Sequence, residues 1–167
     1  MRKGRFSAVL IVMLLANLTY AQDQPLDQVG KSQSPYLLLD KGLQFRITEN
    51  VNALYNFDFE TAERGFRVMQ YQYPDHPLPY FLLGLSTWWK IAPDVENDKY
   101  DDLFIEQMDV VIDKADELLD KDPKNKEVAF FLAGAYGFQG RLYSERKSWT
   151  RATFAGKNAL KYLNLSR

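Results

Sequence analysis

Apolar residues recur at three- and four-residue spacing along most of the chain after residue 40, which is the pattern of amphipathic helices. Leu43, Ile47, Val51 and Leu54 form the first such stripe. The pattern predicts six helices, paired into three antiparallel hairpins, over residues 42–56, 59–71, 78–91, 103–120, 127–143 and 147–163. Proline or short polar segments separate these stretches, and none has the alternation typical of a β-strand. The sequence therefore predicts an all-α fold.

The first 21 residues follow a different pattern. Arg2, Lys3 and Arg5 precede an apolar run over residues 6–18, and small residues precede a cleavage site after Ala21. This is the layout of a secretory signal peptide, and an uncleaved N-terminal anchor is the alternative. Residues 22–39 are then an N-terminal linker segment and residues 40–167 the helical domain.

Export is therefore expected, to the periplasm or the exterior of a Gram-negative bacterium. The chain has no cysteine, so neither a disulfide nor a lipid-modified cysteine can form. After removal of the signal, no remaining apolar run has the length of a membrane span.

Short motifs recur along the helical region: Ala62, Phe66 and Pro74; Tyr80, Leu83 and Gly84; Phe130, Ala133 and Gly134. They resemble the tetratricopeptide repeat family, whose pattern has an aromatic residue, a Leu-Gly or Ala-Gly pair and a Tyr, then Ala, Phe and Pro. The resemblance implies a short right-handed α-solenoid of about three degenerate repeats, over residues 43–76, 77–125 (with an insertion at 92–106) and 126–167. Thr87 and Gly137 stand where the family has tyrosine. A plain helical bundle with coincidental spacing is the alternative.

Residues 79–90, PYFLLGLSTWWK, carry large apolar side chains on every face of the predicted helix. In the family that this chain resembles, the first helix of each repeat lines a concave surface. The resemblance thus implies a candidate concave binding surface made of Tyr55, Phe81, Leu85, Trp88, Trp89, Phe131 and Phe138. The five phenylalanine and tryptophan rings among them could present roughly 500 Å² of apolar area or more, at or above the largest patch of an ordinary monomer. Three covers are open: the insertion 92–106, residues 36–39, or a partner.

Charge is distributed unevenly along the chain. Residues 94–122 contain twelve acidic side chains against three lysines, whereas residues 141–167 contain seven basic side chains against Glu145 alone. Without the signal the net charge would be −4, which argues against nucleic acid as a partner. Solvated helix faces explain the pattern, and a dipolar surface that orients a partner is the alternative.

Catalytic chemistry has little support in this sequence. There is no cysteine and a single histidine, His76, which lies in a turn between two prolines, so no cysteine- or histidine-based triad can be assembled. The acidic segment 94–102 lacks the glycine and glutamate that a calcium loop requires. We expect no enzymatic activity, no metal and no cofactor.

The sequence thus predicts an exported scaffold that mediates protein–protein interaction in a cell-envelope or secreted assembly. The alternative is a small-molecule or lipid binder that uses the aromatic concave groove. The last helix carries Trp149, Phe154 and Leu160 among interspersed basic residues instead of a polar outer face. Because a terminal repeat needs a solvated face, this helix is expected to dock a partner or to form a homo-oligomer.

Overall fold

The structure, a computed structural model, describes residues 36–167, which lie within one compact unit. A short 3-10 helix, Leu37–Leu39, precedes six α-helices: α1 (Lys41–Tyr55), α2 (Phe59–Gln72), α3 (Pro77–Ile91), α4 (Asp101–Lys121), α5 (Lys126–Glu145) and α6 (Trp149–Leu165). The all-α prediction is confirmed, and each helix lies within two residues of its predicted bounds. These residues contain no β-strand. The predicted signal peptide and most of the linker lie outside the described residues.

Polar side chains fix where several helices begin. Oδ1 of Asp40 accepts a 2.9 Å hydrogen bond from the amide of Leu43, and Oδ1 of Asn125 accepts one of 3.0 Å from the amide of Val128. Both contacts satisfy an amide that the first helical turn leaves without a backbone partner. Pro77 occupies the first turn of α3, where the missing N–H costs nothing.

Consecutive helices run antiparallel. Arg46, early in α1, donates a 2.8 Å hydrogen bond to Gln72 at the end of α2. The ring of Trp88, late in α3, lies 5.6 Å from that of Phe104, early in α4. Helices α4 and α5 are antiparallel as well. Arg146, directly after α5, donates a 2.9 Å hydrogen bond to Asp101 at the start of α4.

Helix α3 is the central element of the described fold, which explains why it is apolar on every face. It packs against α2 and α4, its neighbours in sequence, and also against α5. Near its end Trp89 meets Tyr55 of α1, with ring centroids 5.2 Å apart. Because other helices cover each side of α3, it needs no solvated stripe.

Two glycines allow this close packing. A Cβ on Gly84 would lie 1.9 Å from the Cε atom of Met108 in α4, and a Cβ on Gly134 would lie 2.8 Å from the ring of Phe81 in α3. Glycine has only a hydrogen atom in place of a side chain, so it fits at both positions, where the Cβ of any other residue would clash. Gly137, by contrast, faces open space.

The segment between α3 and α4 folds back on the helices. After the 3-10 helix Ala92–Asp94, the guanidinium of Arg146 donates to the carbonyls of Val95 and Asn97 and to both carboxylate oxygens of Asp101. One planar fork therefore fixes three points of this segment. Within residues 36–167, no helix combines the length and apolarity that crossing a bilayer requires.

Candidate functional site

A row of aromatic rings runs between α3 and α5 and on into α4. The ring centroids of Phe131 and Phe81 are 5.6 Å apart, those of Phe81 and Phe138 are 6.0 Å apart, and those of Phe138 and Trp88 are 5.5 Å apart. Trp88 then contacts Phe104 of α4. These are the separations of rings in direct edge-to-face contact. The side chains therefore fill the space between the helices.

The structure divides the seven residues predicted to form the concave surface. Phe131 is buried, and Phe81, Leu85, Trp88, Trp89 and Phe138 are partly buried against the main core. Tyr55 is exposed and contacts only the last turn of α3 among these residues, through the ring of Trp89. The residues of α3 and α5 are thus brought together, while Tyr55 stands at the edge of the group.

Both chain segments that were predicted as covers contribute to the core that contains this aromatic row. Leu37, from the N-terminal segment, is only 1% exposed and belongs to the same hydrophobic cluster as Phe131. Phe104, from the predicted insertion 92–106, is fully buried in that cluster and packs against Trp88. Both chain segments that the sequence offered as covers therefore contribute a buried side chain.

The N-terminal segment is held by one carboxylate. The amide of Leu37 donates a 2.9 Å hydrogen bond to Oε1 of Glu127, and the amide of Leu38 lies 3.1 Å from each carboxylate oxygen. The carbonyl of Leu38 accepts a hydrogen bond from the side-chain amide of Gln44. Glu127 is itself buried in the first turn of α5. A buried carboxylate that receives N–H donors makes strong, charge-assisted hydrogen bonds.

His76 completes this buried polar group. Its Nδ1 accepts a 3.2 Å hydrogen bond from the amide of Leu78, so the ring proton lies on Nε2. Nε2 is 3.4 Å from Oε1 of Glu127, outside hydrogen-bond geometry, and has no hydrogen-bond partner within residues 36–167. Its ring meets Phe131 edge-on. The imidazole is thus enclosed by an aromatic ring on one side and a carboxylate on the other.

Burial sets the protonation of this pair. Loss of solvent lowers the pKa of His76 to about 4, so the imidazole is neutral at pH 7. Burial also raises the pKa of Glu127, while the amide donors of Leu38 and Leu37 act in the opposite direction. The amides of Leu37 and Leu38 donate to the carboxyl oxygens of Glu127, and these contacts favour its ionised form.

A second feature is the outer face of α6. Trp149 and Phe154 are each 66% exposed and Leu160 is 64% exposed. A shallow, open depression of about 480 Å³ lies on this face and is lined by Trp149, Thr150, Thr153, Phe154 and Lys157. Large apolar groups therefore stand in solvent on one side of the helix while Ala155 is buried on the other.

The helix that carries this face is basic, and Lys157 lines the depression itself. Helix α6 carries Arg151, Lys157 and Lys161, and no acidic residue. Helix α4 has the opposite composition, since acidic residues occupy much of its exposed side. The acidic and basic stretches of the sequence therefore correspond to two different helices, α4 and α6.

The contact between Glu127 and the N-terminal segment could not be found from sequence. An acidic residue in the first turn of a helix is common because it complements the helix dipole, so Glu127 gave no distinctive signal. His76 was predicted to be a turn residue, and it does precede α3, yet its ring is buried. The only available signal was the run of leucines at 37–39 within a polar segment.

No protein-family model, curated protein or solved structure matches this chain. The resemblance to tetratricopeptide repeats therefore stays a prediction that rests on the residues that carry it, beside an all-α fold that the structure confirms.

Proposed function

We propose that this protein is an exported interaction scaffold built from tetratricopeptide-like hairpins, and that it binds a protein partner through the outer face of α6. The main support is the exposure of Trp149, Phe154 and Leu160 in one helix, where Trp149 and Phe154 line a shared depression. Exposed aromatic residues grouped in this way are typical of interaction surfaces.

The packing of the helices supports the repeat-like part of the proposal. Helix α3 runs alongside α5 as well as between its sequence neighbours. In a repeat stack the first helices of successive hairpins lie side by side, and a small residue allows their close approach. Gly134 against Phe81 is such a contact.

The size of the apolar face agrees with a protein partner. Two aromatic side chains and one leucine bury roughly 300 Å² of apolar area, which contributes about 7 kcal/mol as an upper bound. Association costs on the order of 4–15 kcal/mol in lost freedom. Apolar burial is therefore comparable to the lower part of this cost, so a protein partner that also makes polar contacts around the three side chains fits this face.

Charge defines the partner further. Because Lys157 lines the depression and α6 contains no acidic residue, we expect the complementary surface to be acidic. The depression between Trp149 and Phe154 is concave, which suits one apolar side chain of a partner better than a flat bilayer surface. We therefore favour a segment with carboxylates around an apolar anchor.

The alternative, a small-molecule or lipid binder, draws no support from the aromatic row. Its candidate residues Phe81, Phe131, Phe138 and Trp88 contact one another directly, so their rings pack on each other in the described part of the chain.

Site-specific photo-crosslinking in cells tests the proposal. A photoreactive residue at Thr153, in the depression, should trap one major protein, whereas the same residue at the exposed Thr48 of α1 should not. Phe154→Ala should reduce the crosslinked yield at least tenfold. Phe45→Ala is the matched control, since Phe45 is also an exposed phenylalanine, on α1.

Two results would contradict the proposal. One is an equal loss of crosslinking with Phe45→Ala and Phe154→Ala, which would mean that any exposed ring adheres nonspecifically. The other is the absence of a protein adduct at Thr153 together with tight binding to anionic vesicles that Phe154→Ala abolishes, which would make α6 a membrane-binding helix.

A further inference from the structure

The turn between α1 and α2 has the same backbone structure as the turn between α5 and α6. Phe57 in the first and Lys147 in the second have φ angles of 61° and 56°, in the left-handed region that residues other than glycine seldom adopt. The amide of each donates to the carbonyl three residues earlier, over 2.9 Å in the first turn and 3.0 Å in the second. Helices α2 and α6 begin two residues after them, at Phe59 and Trp149. The two pairs of helices can therefore be aligned position by position.

The packing within the two pairs follows this alignment. A Cβ on Gly65 of α2 would clash with the side chain of Asn50 in α1. A Cβ on Gly140 of α5 would touch that of Ala155 in α6, 3.5 Å away. In the alignment, position 65 corresponds to position 155, and position 50 to position 140. The same two positions therefore meet in both pairs.

Helix α2 holds α3 on one of its sides. Oε1 of Glu63 accepts hydrogen bonds from Oγ of Ser86, at 2.8 Å, and from Nζ of Lys90, at 2.5 Å. The same Nζ atom lies 5.3 Å from the centroid of the ring of Phe59. Because the start of α2 thus meets the last turns of α3, the two helices are antiparallel.

The equivalent side of α6 carries no helix in the described part of the chain. Trp149 corresponds to Phe59 and lines the depression, where it is 66% exposed, whereas Phe59 is partly buried against the core. Thr153 corresponds to Glu63 and also lines the depression. Leu160 lies two turns beyond Thr153 on the same side and is 64% exposed. This side of α6 therefore has the position of a helix-binding surface and exposes large apolar groups there.

We propose that this side of α6, formed by Trp149, Thr153 and Leu160, binds an amphipathic α-helix of a partner protein in the antiparallel position that α3 takes on α2. The inference rests on the proposed function and specifies the partner segment. The docked helix carries an apolar stripe for Trp149 and Leu160. Its edge carries carboxylates, since Lys157 lines the depression and α6 contains no acidic residue.

The alignment also predicts which neighbouring residue stays uncovered. Tyr71 of α2 is 87% exposed although α3 lies on that helix, and Lys161 of α6 corresponds to it. Gln70, which corresponds to Leu160, is partly buried. A helix docked like α3 therefore covers Leu160 and leaves Lys161 in solvent, whereas a partner lying over the whole outer face would cover both.

Photo-crosslinking in cells with the full chain tests the inference, with a photoreactive residue placed singly at Thr153, Leu160 or Lys161. The first two should each trap the partner, and Lys161 should give at least tenfold less adduct. Mass spectrometry then locates the crosslinked residues of the partner. Those from Thr153 should lie about seven residues after those from Leu160, because both antiparallel helices rise by about 1.5 Å per residue. An extended segment would span the same distance in about three residues.

Two substitutions with the same change of charge provide a matched comparison. Leu160→Lys should reduce the adduct at Thr153 at least tenfold, because the docked helix would bury an unpaired charge. Leu165→Lys is the control and should leave the yield unchanged, since Leu165 is exposed and corresponds to the exposed Asp75.

Several results would overturn the docked helix and leave the proposed function standing. They are equal yields at Leu160 and Lys161, equal yields with the two lysine substitutions, partner sites about three residues apart, and partner sites in the same order as those of α6. Adducts between two copies of this chain would overturn the assignment to a partner protein. The absence of any protein adduct would overturn it too, and tight binding to anionic vesicles would then contradict the proposed function as well.

Discussion

The amide of Leu37 donates a 2.9 Å hydrogen bond to Oε1 of Glu127, ninety residues further along the chain. This contact joins the segment that precedes α1 to the first turn of α5. The carboxyl group of Glu127 is buried and accepts hydrogen bonds from two amides of one short segment. The N-terminal residues are therefore part of the core and not merely a lead into α1.

Replacing Glu127 with glutamine should destabilise the fold. The substitution keeps the size of the side chain but removes the charge, and it turns one of the two acceptor atoms into a donor that opposes the amides of Leu37 and Leu38. Hydrogen bonds to charged groups contribute about 1.5–3 kcal/mol each, and relief of charge burial offsets part of that, so a loss of about 2 kcal/mol in the free energy of unfolding is expected. Urea denaturation measures this loss.

Glu117→Gln, on the exposed side of α4, is the control and should change stability by less than about 0.5 kcal/mol. Equal stabilities of the two variants would show that the Leu37 contact is not energetically significant.

The buried imidazole of His76 makes stability depend on pH. Its pKa is about 4 in the fold, against 6.5 for the ordinary group. As the pH falls from 6.5 towards 4, the unfolded chain takes up a proton that the folded chain does not, and stability is lost across that window. Above pH 6.5 both states are neutral and the effect vanishes.

His76→Asn removes this titration and retains a residue that caps helices well. Between pH 7.5 and pH 4.5 the unsubstituted chain should lose about 2.5 kcal/mol more than the variant, because about two pH units separate pH 4.5 from the ordinary pKa of 6.5 and each contributes about 1.36 kcal/mol. Burial raises the pKa of Glu127, so this residue makes stability rise as the pH falls. Glu127 is present in both proteins, so its contribution is subtracted when the two stabilities are compared. If urea denaturation shows that the free energies of unfolding of the two proteins change equally across this pH range, His76 is not a buried neutral imidazole.

Local pattern was enough to predict the helices, and it was not enough to predict their polar contacts. The stripe of Leu43 and Leu54 and the breaks at Pro74 and Pro123 set the ends of α1, α2 and α4 because they act through neighbouring residues. Four α-helices lie between Leu37 and Glu127 along the chain, and the two residues meet only after those helices have packed. No spacing rule connects residues that far apart.

The candidate site illustrates the same limit. The aromatic residues of α3 and α5 were chosen because they are large and lie on one helical face, and the structure does bring Phe81, Phe131 and Phe138 together. Whether such a group is open or filled depends on how closely the helices approach. That distance depends on contacts such as the one between Gly134 and Phe81, which periodicity does not encode.

Arg146 should control the order of the segment between α3 and α4. Its guanidinium is the common partner of the Val95 and Asn97 carbonyls and the Asp101 carboxylate. Arg146→Ala should cost about 2 kcal/mol, because a bidentate ion pair and two carbonyl contacts are lost together. Arg146→Lys should recover only part of this, since an ammonium lacks the planar fork.

Hydrogen exchange locates the effect of Arg146→Ala. Amides of residues 95–101 should exchange faster, while those of α1 and α2 should be unchanged. Arg141→Ala is the control, because Arg141 pairs only with Glu145 one turn later among the described contacts and is largely exposed. Faster exchange in α1 would indicate that the whole fold had loosened and that Arg146 does not act locally.

Two glycines of α5, three residues apart, should respond to the same substitution with opposite signs. Gly134→Ala places a methyl group 2.8 Å from the ring of Phe81, and the ring is held by Phe131 and Phe138, so it cannot move without disturbing the aromatic row. Overpacking of this kind costs about 1–3 kcal/mol. Gly137→Ala meets no atom within 4 Å, and alanine favours a helix interior over glycine by about 0.5–1 kcal/mol, so this variant should be more stable than the parent. Urea denaturation of both variants measures the two effects in one helix. Stabilisation by both substitutions would mean that α3 and α5 lie further apart than the ring contacts require, and the filled aromatic row would have to be abandoned.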